Sequence, residues 1–130
     1  FLLTQCEAEG FRHITWFVDR PDVLATYDVT LVADATRFPV LLANGNPAGN
    51  GRDADGRHWA RWVDPHPKPC YLFAVVAGRL ERIGNRVVTG AGRAVDLNIW
   101  AEASAVHRCH HALDALVRAL RWDEAQYGRH

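Results

Sequence analysis

The residues whose types and spacing are best suited to binding a ligand lie near the start of the chain, where Gln5 and Glu7 are two positions apart. In an extended strand they would share one face, with Cys6 on the other. A carboxylate beside a carboxamide can hold an ammonium group, because Glu supplies charge and the Gln oxygen accepts a directed N–H bond. The alternative is a solvated strand edge that turns at Gly10. Glu9 falls on the same face and is interpreted as a structural or solvated carboxylate.

A second group of chemically capable residues is His107, His110 and His111. On one helix, His107 and His111 would share a face and could ligate one metal ion. However, Arg108 stands where a zinc-peptidase helix needs its catalytic Glu, and no acidic partner lies nearby in the sequence. A solvated histidine-rich face is therefore favoured, and a histidine-based metal carrier is kept as an alternative function.

Two further signals favour packing over chemistry. Trp59 and Trp62, together with Arg57 and Arg61, could stack on bases or sugars. Because they are three positions apart in a predicted strand, they face opposite ways, and this favours core packing. Cys6 could act as a nucleophile only beside a base that removes its proton. A small buried apolar side chain is the favoured interpretation of Cys6.

Strands must position most of these side chains. Residues 25–34 alternate apolar and polar side chains with a period of two, as a half-buried strand does. The Asn, Gly and Pro residues of 44–51 predict a long loop between strands at 38–43 and 57–63. The three prolines of 64–69 lack amide donors, so we predict neither helix nor central strand there.

The second half of the chain predicts more short strands and then a helix. Strands are expected at 70–77, 79–83, 86–89 and 94–100. Gly84-Asn85 is expected to form a two-residue turn. Ser104 is the predicted N-cap of a helix with one apolar stripe that runs to Tyr127 and stops at Gly128. We therefore predict a mainly β fold: an antiparallel β-sandwich portion, then short strands and one C-terminal α-helix.

Composition excludes several classes of protein. The 130 residues carry fifteen Lys and Arg against fifteen Asp and Glu, and this neutrality argues against binding to nucleic acid or an anionic membrane. No apolar run reaches the roughly 20 residues that span a bilayer. Cys6, Cys70 and Cys109 are odd in number and far apart, so we expect reduced thiols in a cytosolic setting. Since the chain has no methionine, we expect it to be an internal part of a longer protein.

Several blocks of the sequence, in the same order, resemble the bacterial alanyl aminopeptidases, also called aminopeptidase N, of the zinc gluzincin class. The most specific blocks are Thr4–Thr15 (TQCEAEGFRHIT) and Asp64–Ala74 (DPHPKPCYLFA). The resemblance also includes residues 19–24, 44–46, 56–59 and 122–124. It is loosest at 35–38, 47–55 and 105–121, and it covers nearly the whole chain.

The resemblance implies a role for Gln5 and Glu7. In these enzymes the matching Gln and Glu reach from a β-rich N-terminal domain into the active site and bind the free α-amino group of the peptide. It implies the same role here, with peptides as substrates through their free N-terminus. The family gives Glu9 no substrate contact. The resemblance also implies activity in the bacterial cytoplasm, with a preference for Ala and basic first residues.

The rest of the family's machinery is absent from this sequence. The Gly-x-Met-Glu-Asn and His-Glu-x-x-His segments do not occur, so the resemblance implies a zinc ion in the full-length enzyme whose ligands lie outside this chain. We therefore expect no cofactor, metal ligand or catalytic residue in the fragment, and no catalysis by it alone. It further implies two domains: residues 1–78 end the N-terminal β domain, and 79–130 open the thermolysin-like catalytic domain. A stand-alone β module that binds peptides or proteins without catalysis is the alternative.

Overall fold

Two three-stranded antiparallel sheets build the first part of the protein, in a computed structural model that describes residues 1–128. The first sheet has the order β1-β6-β3 and consists of β1 (Leu2–Leu3), β6 (Val75–Gly78) and β3 (Val40–Ala43). The second has the order β2-β5-β4 and consists of β2 (Leu24–Asp34), β5 (Arg57–Pro69) and β4 (Asn46–Arg52). The two sheets are joined where Trp62 Nε1 donates to the carbonyl of Leu41, 3.1 Å away.

The chain separates into two units, Phe1–Arg79 and Leu80–His130, of which residues 129 and 130 lie outside the described part. The second unit consists of the hairpin strands β7 (Glu81–Val88) and β8 (Ala94–Ala101) and the helices α1 (Ala103–Val106) and α2 (His110–Tyr127). The predicted fold class, mainly antiparallel β with one main C-terminal helix, is confirmed. The assignment of 1–78 and 79–130 to two enzyme domains stays a prediction.

The alternation in residues 25–34 is confirmed in β2. Tyr27 is buried and Val29 is half-buried, whereas Asp28 and Val32 are exposed.

The predicted loop at 44–51 is wrong, because its residues from Asn46 form β4, which pairs with β5 through a register shift between Pro47 and Gly49. Glycine makes this strand possible: a Cβ on Gly51 would lie 2.6 Å from the indole nitrogen of Trp59.

The prediction of neither helix nor central strand at the prolines of 64–69 is confirmed, although strand structure does not end there. β5 continues to Pro69, which is registered with Leu24 of β2. β4 pairs with β5 only as far as Val63, so from residue 64 onward β5 has a registered strand on one side alone. Pro65, Pro67 and Pro69 alternate, and their missing donors can all face the open edge, where proline is tolerated.

Residues 70–77 are not one buried strand. Cys70–Leu72 forms a 3₁₀ turn, and β6 begins only at Val75. The side chain of Asn44 forms hydrogen bonds with the backbone between these two elements. Its Nδ2 donates to the Leu72 carbonyl at 2.9 Å, and its Oδ1 accepts from the Ala74 amide at 2.6 Å. These bonds take the place of strand pairing.

In the second unit, Gly84-Asn85 is not a turn. β7 runs through both residues, which pair with Asn98 and Leu97 of β8, so two long strands replace the three predicted short ones.

Ser104 is not an N-cap, because it lies inside α1, whose N-cap is Glu102. The helix is broken before Cys109, whose Sγ lies 3.5 Å from the Ala105 carbonyl. The predicted stop at Gly128, with φ of 102°, is confirmed.

No helix among residues 1–128 combines the length and the apolar character that crossing a membrane requires.

Candidate functional site

Glu7 begins a turn and Gln5 lies just before it, and neither residue is in a strand, so the strand predicted for them is wrong. β1 ends at Leu3, and a turn covers Glu7 to Gly10, with a cis peptide bond between Glu7 and Ala8. The expected separation of side chains is nevertheless present: Gln5 and Glu7 are exposed, while Cys6 between them is 2% exposed. The turn therefore presents the carboxamide and the carboxylate to solvent and uses Cys6 as its anchor.

Backbone hydrogen bonds fix both ends of this turn. The Thr4 amide donates to the Val75 carbonyl at 3.1 Å, and the Val75 amide donates to Thr4 Oγ1 at 2.9 Å, which ties the residue before Gln5 to β6. The Gly10 amide donates to the Cys6 carbonyl at 2.8 Å and closes the turn. These bonds fix the backbone immediately before Gln5 and at Gly10, so Gln5 and Glu7 project from a defined path.

A cluster of buried side chains lies beneath the turn. Cys6, Phe11, Tyr27 and Cys70 form its centre, and Phe17 and Phe73 pack against it. The Phe11 ring is edge-on to Phe17 at 5.2 Å and to Phe73 at 5.0 Å between centroids, an arrangement that aromatic quadrupoles favour. Cys6 is buried in this cluster, and its burial raises the pKa of the thiol, so the structure supports a packing role for it. This agrees with the interpretation from sequence.

Gly10 is required by contact and not by its backbone angles. Its φ of −85° is ordinary for any residue. A Cβ at this position, however, would lie 2.6 Å from the Gln5 carbonyl oxygen and 2.9 Å from Cys6 Cα. A larger residue would therefore push against the backbone that carries Gln5.

A buried carboxylate, Asp19, binds Arg12, which follows the turn by two residues. Its Oδ2 accepts from the Arg12 backbone amide at 3.0 Å and from Arg12 Nε at 3.1 Å, and its Oδ1 accepts from Cys70 Sγ at 3.0 Å. The Cys70 thiol first, and then the Arg12 amide, hold the pKa of Asp19 below its usual value. Sequence reasoning missed Asp19, because nothing in its neighbours indicates that a single Asp after an apolar stretch will be buried.

The side chains of Gln5 and Glu7 themselves have no hydrogen-bond or ion-pair partner within residues 1–128. Other carboxylates of the same region are engaged: Asp19 as described, and Glu9 with Arg12, at 3.7 Å from Oε2 to Nη1. An exposed carboxylate and an exposed carboxamide, both unengaged and two residues apart on a fixed turn, can accept N–H bonds from a cationic ligand.

The alternative chemical groups are not assembled. His107 is the C-cap of α1, whereas His110 is the first residue of α2, so the single helical face proposed for His107 and His111 does not exist. Within the described part of the chain, no group of three or more His, Cys, Asp or Glu residues could hold a metal ion. Residues 1–128 therefore give the metal-carrier hypothesis no support and do not fit a zinc site.

The tryptophans pack as the favoured interpretation expects. Trp62 bonds to the Leu41 carbonyl, and the Trp59 ring lies over Gly49 and Gly51 of β4. Both indoles are half-buried. They belong to the packing of the first unit and form no shared stacking platform.

Residues 1–79 thus form a β-rich unit with Gln5 and Glu7 exposed at its surface. Residues 1–72 match the Peptidase M1 N-terminal domain, and since this is more than half of the chain, the chain belongs to that family.

Relatives extend the similarity beyond residue 72. The chain is similar to Aminopeptidase N of Caulobacter vibrioides, at 52% identity over 97% of this chain, and to Aminopeptidase N of Escherichia coli, at 46% identity over 98%. A crystal structure of Legionella pneumophila aminopeptidase A in complex with aspartic acid superimposes with a TM-score of 0.90, at 40% identity over 95% of this chain. The chain spans 14%, 15% and 14% of the lengths of these three proteins.

Proposed function

We propose that this chain is the part of a bacterial zinc aminopeptidase that binds the free α-ammonium group of a peptide, with Glu7 and Gln5 as the binding residues. The enzyme would release residues, Ala and basic ones among them, from peptide N-termini in the cytoplasm. Support for the peptidase class comes from the family match and from relatives that carry the name Aminopeptidase N.

The observation that carries the proposal is the exposed, unengaged pair of Glu7 and Gln5 on a turn fixed by its backbone. An exopeptidase must recognise the terminal ammonium group, because internal peptide bonds lack it. The Glu7 carboxylate would supply the opposite charge, and the Gln5 carbonyl oxygen would accept one directed N–H bond. Glu9 is less suited to this role, because Arg12 lies 3.7 Å from its carboxylate.

Hydrolysis would need groups that the described residues do not supply. In a zinc peptidase the metal acts as a Lewis acid on the scissile carbonyl and activates water. Because residues 1–128 contain no fitting ligand group, we assign the metal ligands and the general base to residues outside this chain. The role of this chain is to hold and orient the substrate's N-terminus.

The test uses the complete gene product that contains this chain and the chromogenic substrate alanine 4-nitroanilide. Glu7→Ala should lower kcat/KM by roughly 30-fold to several thousand-fold, corresponding to about 2–5 kcal/mol for truncating one partner of a desolvated ion pair. Gln5→Ala should cost less, because it removes a neutral acceptor. Neither should change the melting temperature much, since both side chains are exposed and unengaged.

Glu81→Ala, at an exposed glutamate of β7, is the matched control and should leave kcat/KM unchanged. An unchanged kcat/KM in Glu7→Ala would contradict the proposed role of Glu7. A gene product that binds peptides but hydrolyses no aminoacyl amide would instead support the alternative of a β module that binds without catalysis.

A further inference from the structure

Arg12 is the nearest cationic side chain after Glu7 in the sequence, five positions away. Its guanidinium contacts Asp19 and not Glu7. Its Nε donates to Asp19 Oδ2 at 3.1 Å, and its Nη2 donates to the Asp19 backbone carbonyl at 2.9 Å. Its remaining terminal nitrogen, Nη1, lies 3.7 Å from Glu9. In the described part of the chain, Arg12 forms no ion pair with Glu7.

The burial of Asp19 favours a lasting ion pair with this guanidinium. Its side chain is 4% exposed, whereas that of Arg12 is 46% exposed, so the carboxylate is fixed in the interior and the cation is held at the surface beside it. A desolvated carboxylate requires a charged or strongly polar partner. The Cys70 thiol and the Arg12 amide also donate to it, so three donors besides solvent fix the position of the carboxylate.

We propose that Asp19 is a positioning residue of the ammonium-binding site: it holds the Arg12 guanidinium away from Glu7, so that Glu7 is available to the substrate. This inference rests on the proposed function. A guanidinium and an α-ammonium group are both cations that bind carboxylates, and a released Arg12 side chain would compete with the substrate for Glu7. The competition would act on substrate binding and leave the chemical step unchanged.

The test again uses the complete gene product and alanine 4-nitroanilide. Asp19→Asn keeps the size of the side chain but loses the charge that holds Arg12. We expect KM to rise about two- to fivefold, the range that an exposed ion pair can produce, with kcat nearly constant. The rise should shrink at high salt, because ions screen exposed charges.

The decisive readout is rescue. Arg12→Gln in the Asp19→Asn background removes the competing charge and should return KM to the wild-type value, although it removes still more of the native hydrogen bonds. A purely structural role for Asp19 predicts the opposite, a double variant no better than the single one. An unchanged KM in Asp19→Asn, or a double variant without rescue, overturns the inference.

Further variants complete the design. Asp28→Asn breaks an exposed Asp–Arg fork between β2 and β5, at 2.6 and 2.8 Å from Arg61, and should leave KM unchanged. If Asp19→Asn does not fold, Arg12→Gln is measured alone. It breaks the fork without releasing a cation, so KM should stay at the wild-type value, whereas a structural role for the fork predicts a raised KM. Glu7→Gln separates the two proposals. A normal KM in Glu7→Gln contradicts the proposed function itself. A raised KM in Glu7→Gln together with a normal KM in Asp19→Asn contradicts only this inference.

Discussion

The thiol of Cys70 donates a hydrogen bond to the buried carboxylate of Asp19, with Sγ and Oδ1 3.0 Å apart and fifty-one positions between the two residues. Burial first, and then this bond to an anion, raises the pKa of Cys70 to about 11, so the thiol keeps its proton and serves as a donor. The same carboxylate accepts from Arg12, next to the Gln5–Glu7 turn. Asp19 thus connects that turn to the end of β5.

Cys70→Ala should destabilise the protein more than Cys70→Ser does. Alanine loses the buried sulfur, which costs about 1 kcal/mol from the change in burial, and it loses the donor to Asp19 as well. Serine can still donate from its hydroxyl. The free energy of unfolding from urea titration measures the difference, and equal stability of the two variants would show that the thiol–carboxylate bond contributes nothing.

Acid should weaken the first unit through Asp19 and Asp64. Hydrogen bonds hold both pKa values below the usual one: from Cys70 and Arg12 for Asp19, and chiefly from Lys68 for Asp64. A carboxylate with a lowered pKa in the folded state contributes stability above its unfolded pKa of about 3.9, and this is lost as pH falls through the folded value.

Urea unfolding between about pH 3 and pH 7 measures this dependence. Stability should be nearly constant at the upper end and should fall steeply below about pH 4, where the unfolded state takes up protons first. Asp64→Asn should lower stability at neutral pH and flatten the acid slope. Asp53→Asn, at an exposed turn, is the control and should keep the wild-type slope. An unaltered slope in Asp64→Asn would contradict the assignment.

The parts of the fold that depend on local pattern were predictable from the sequence. The alternation in β2 sets which side chains are buried, because Cβ atoms in a strand point alternately to opposite faces. The glycine at 128 ends α2 because it adopts a positive φ that other residues avoid. In both cases the deciding interaction lies within a few residues of sequence.

The parts that depend on distant partners were not predictable. Whether the prolines of 64–69 end a strand depends on which edge of β5 carries a neighbour, and the limit of β4 at Val63 decides that. Gly84-Asn85 suits a turn locally, but pairing with β8 overrides it. At the candidate site, Gln5 and Glu7 were found from residue type and resemblance, whereas Asp19 depends on Cys70, a contact that only the folded chain shows.

Tyr27→Phe should be neutral or slightly stabilising. The Tyr27 hydroxyl is buried and, within the described residues, has no hydrogen-bond partner, so its removal relieves a desolvation cost of about 1 kcal/mol. The ring contacts with Phe73, at 5.5 Å between centroids, remain. Tyr27→Leu is the control and should destabilise, because it removes those contacts. A clear loss of stability in Tyr27→Phe would contradict the conclusion that the hydroxyl is unpaired.

Gly10→Ala should damage both stability and substrate binding. The new Cβ would lie 2.6 Å from the Gln5 carbonyl oxygen, and since the φ of Gly10 is ordinary, the whole effect comes from this contact. Overpacking of this kind costs about 1–3 kcal/mol, and the shift in Gln5 should raise KM for alanine 4-nitroanilide. Gly56→Ala is the control: its Cβ meets nothing within 4 Å, but its φ of 83° disfavours alanine. It should therefore lose stability with an unchanged KM, and a normal KM in Gly10→Ala would show that substrate binding does not depend on the position of Gln5.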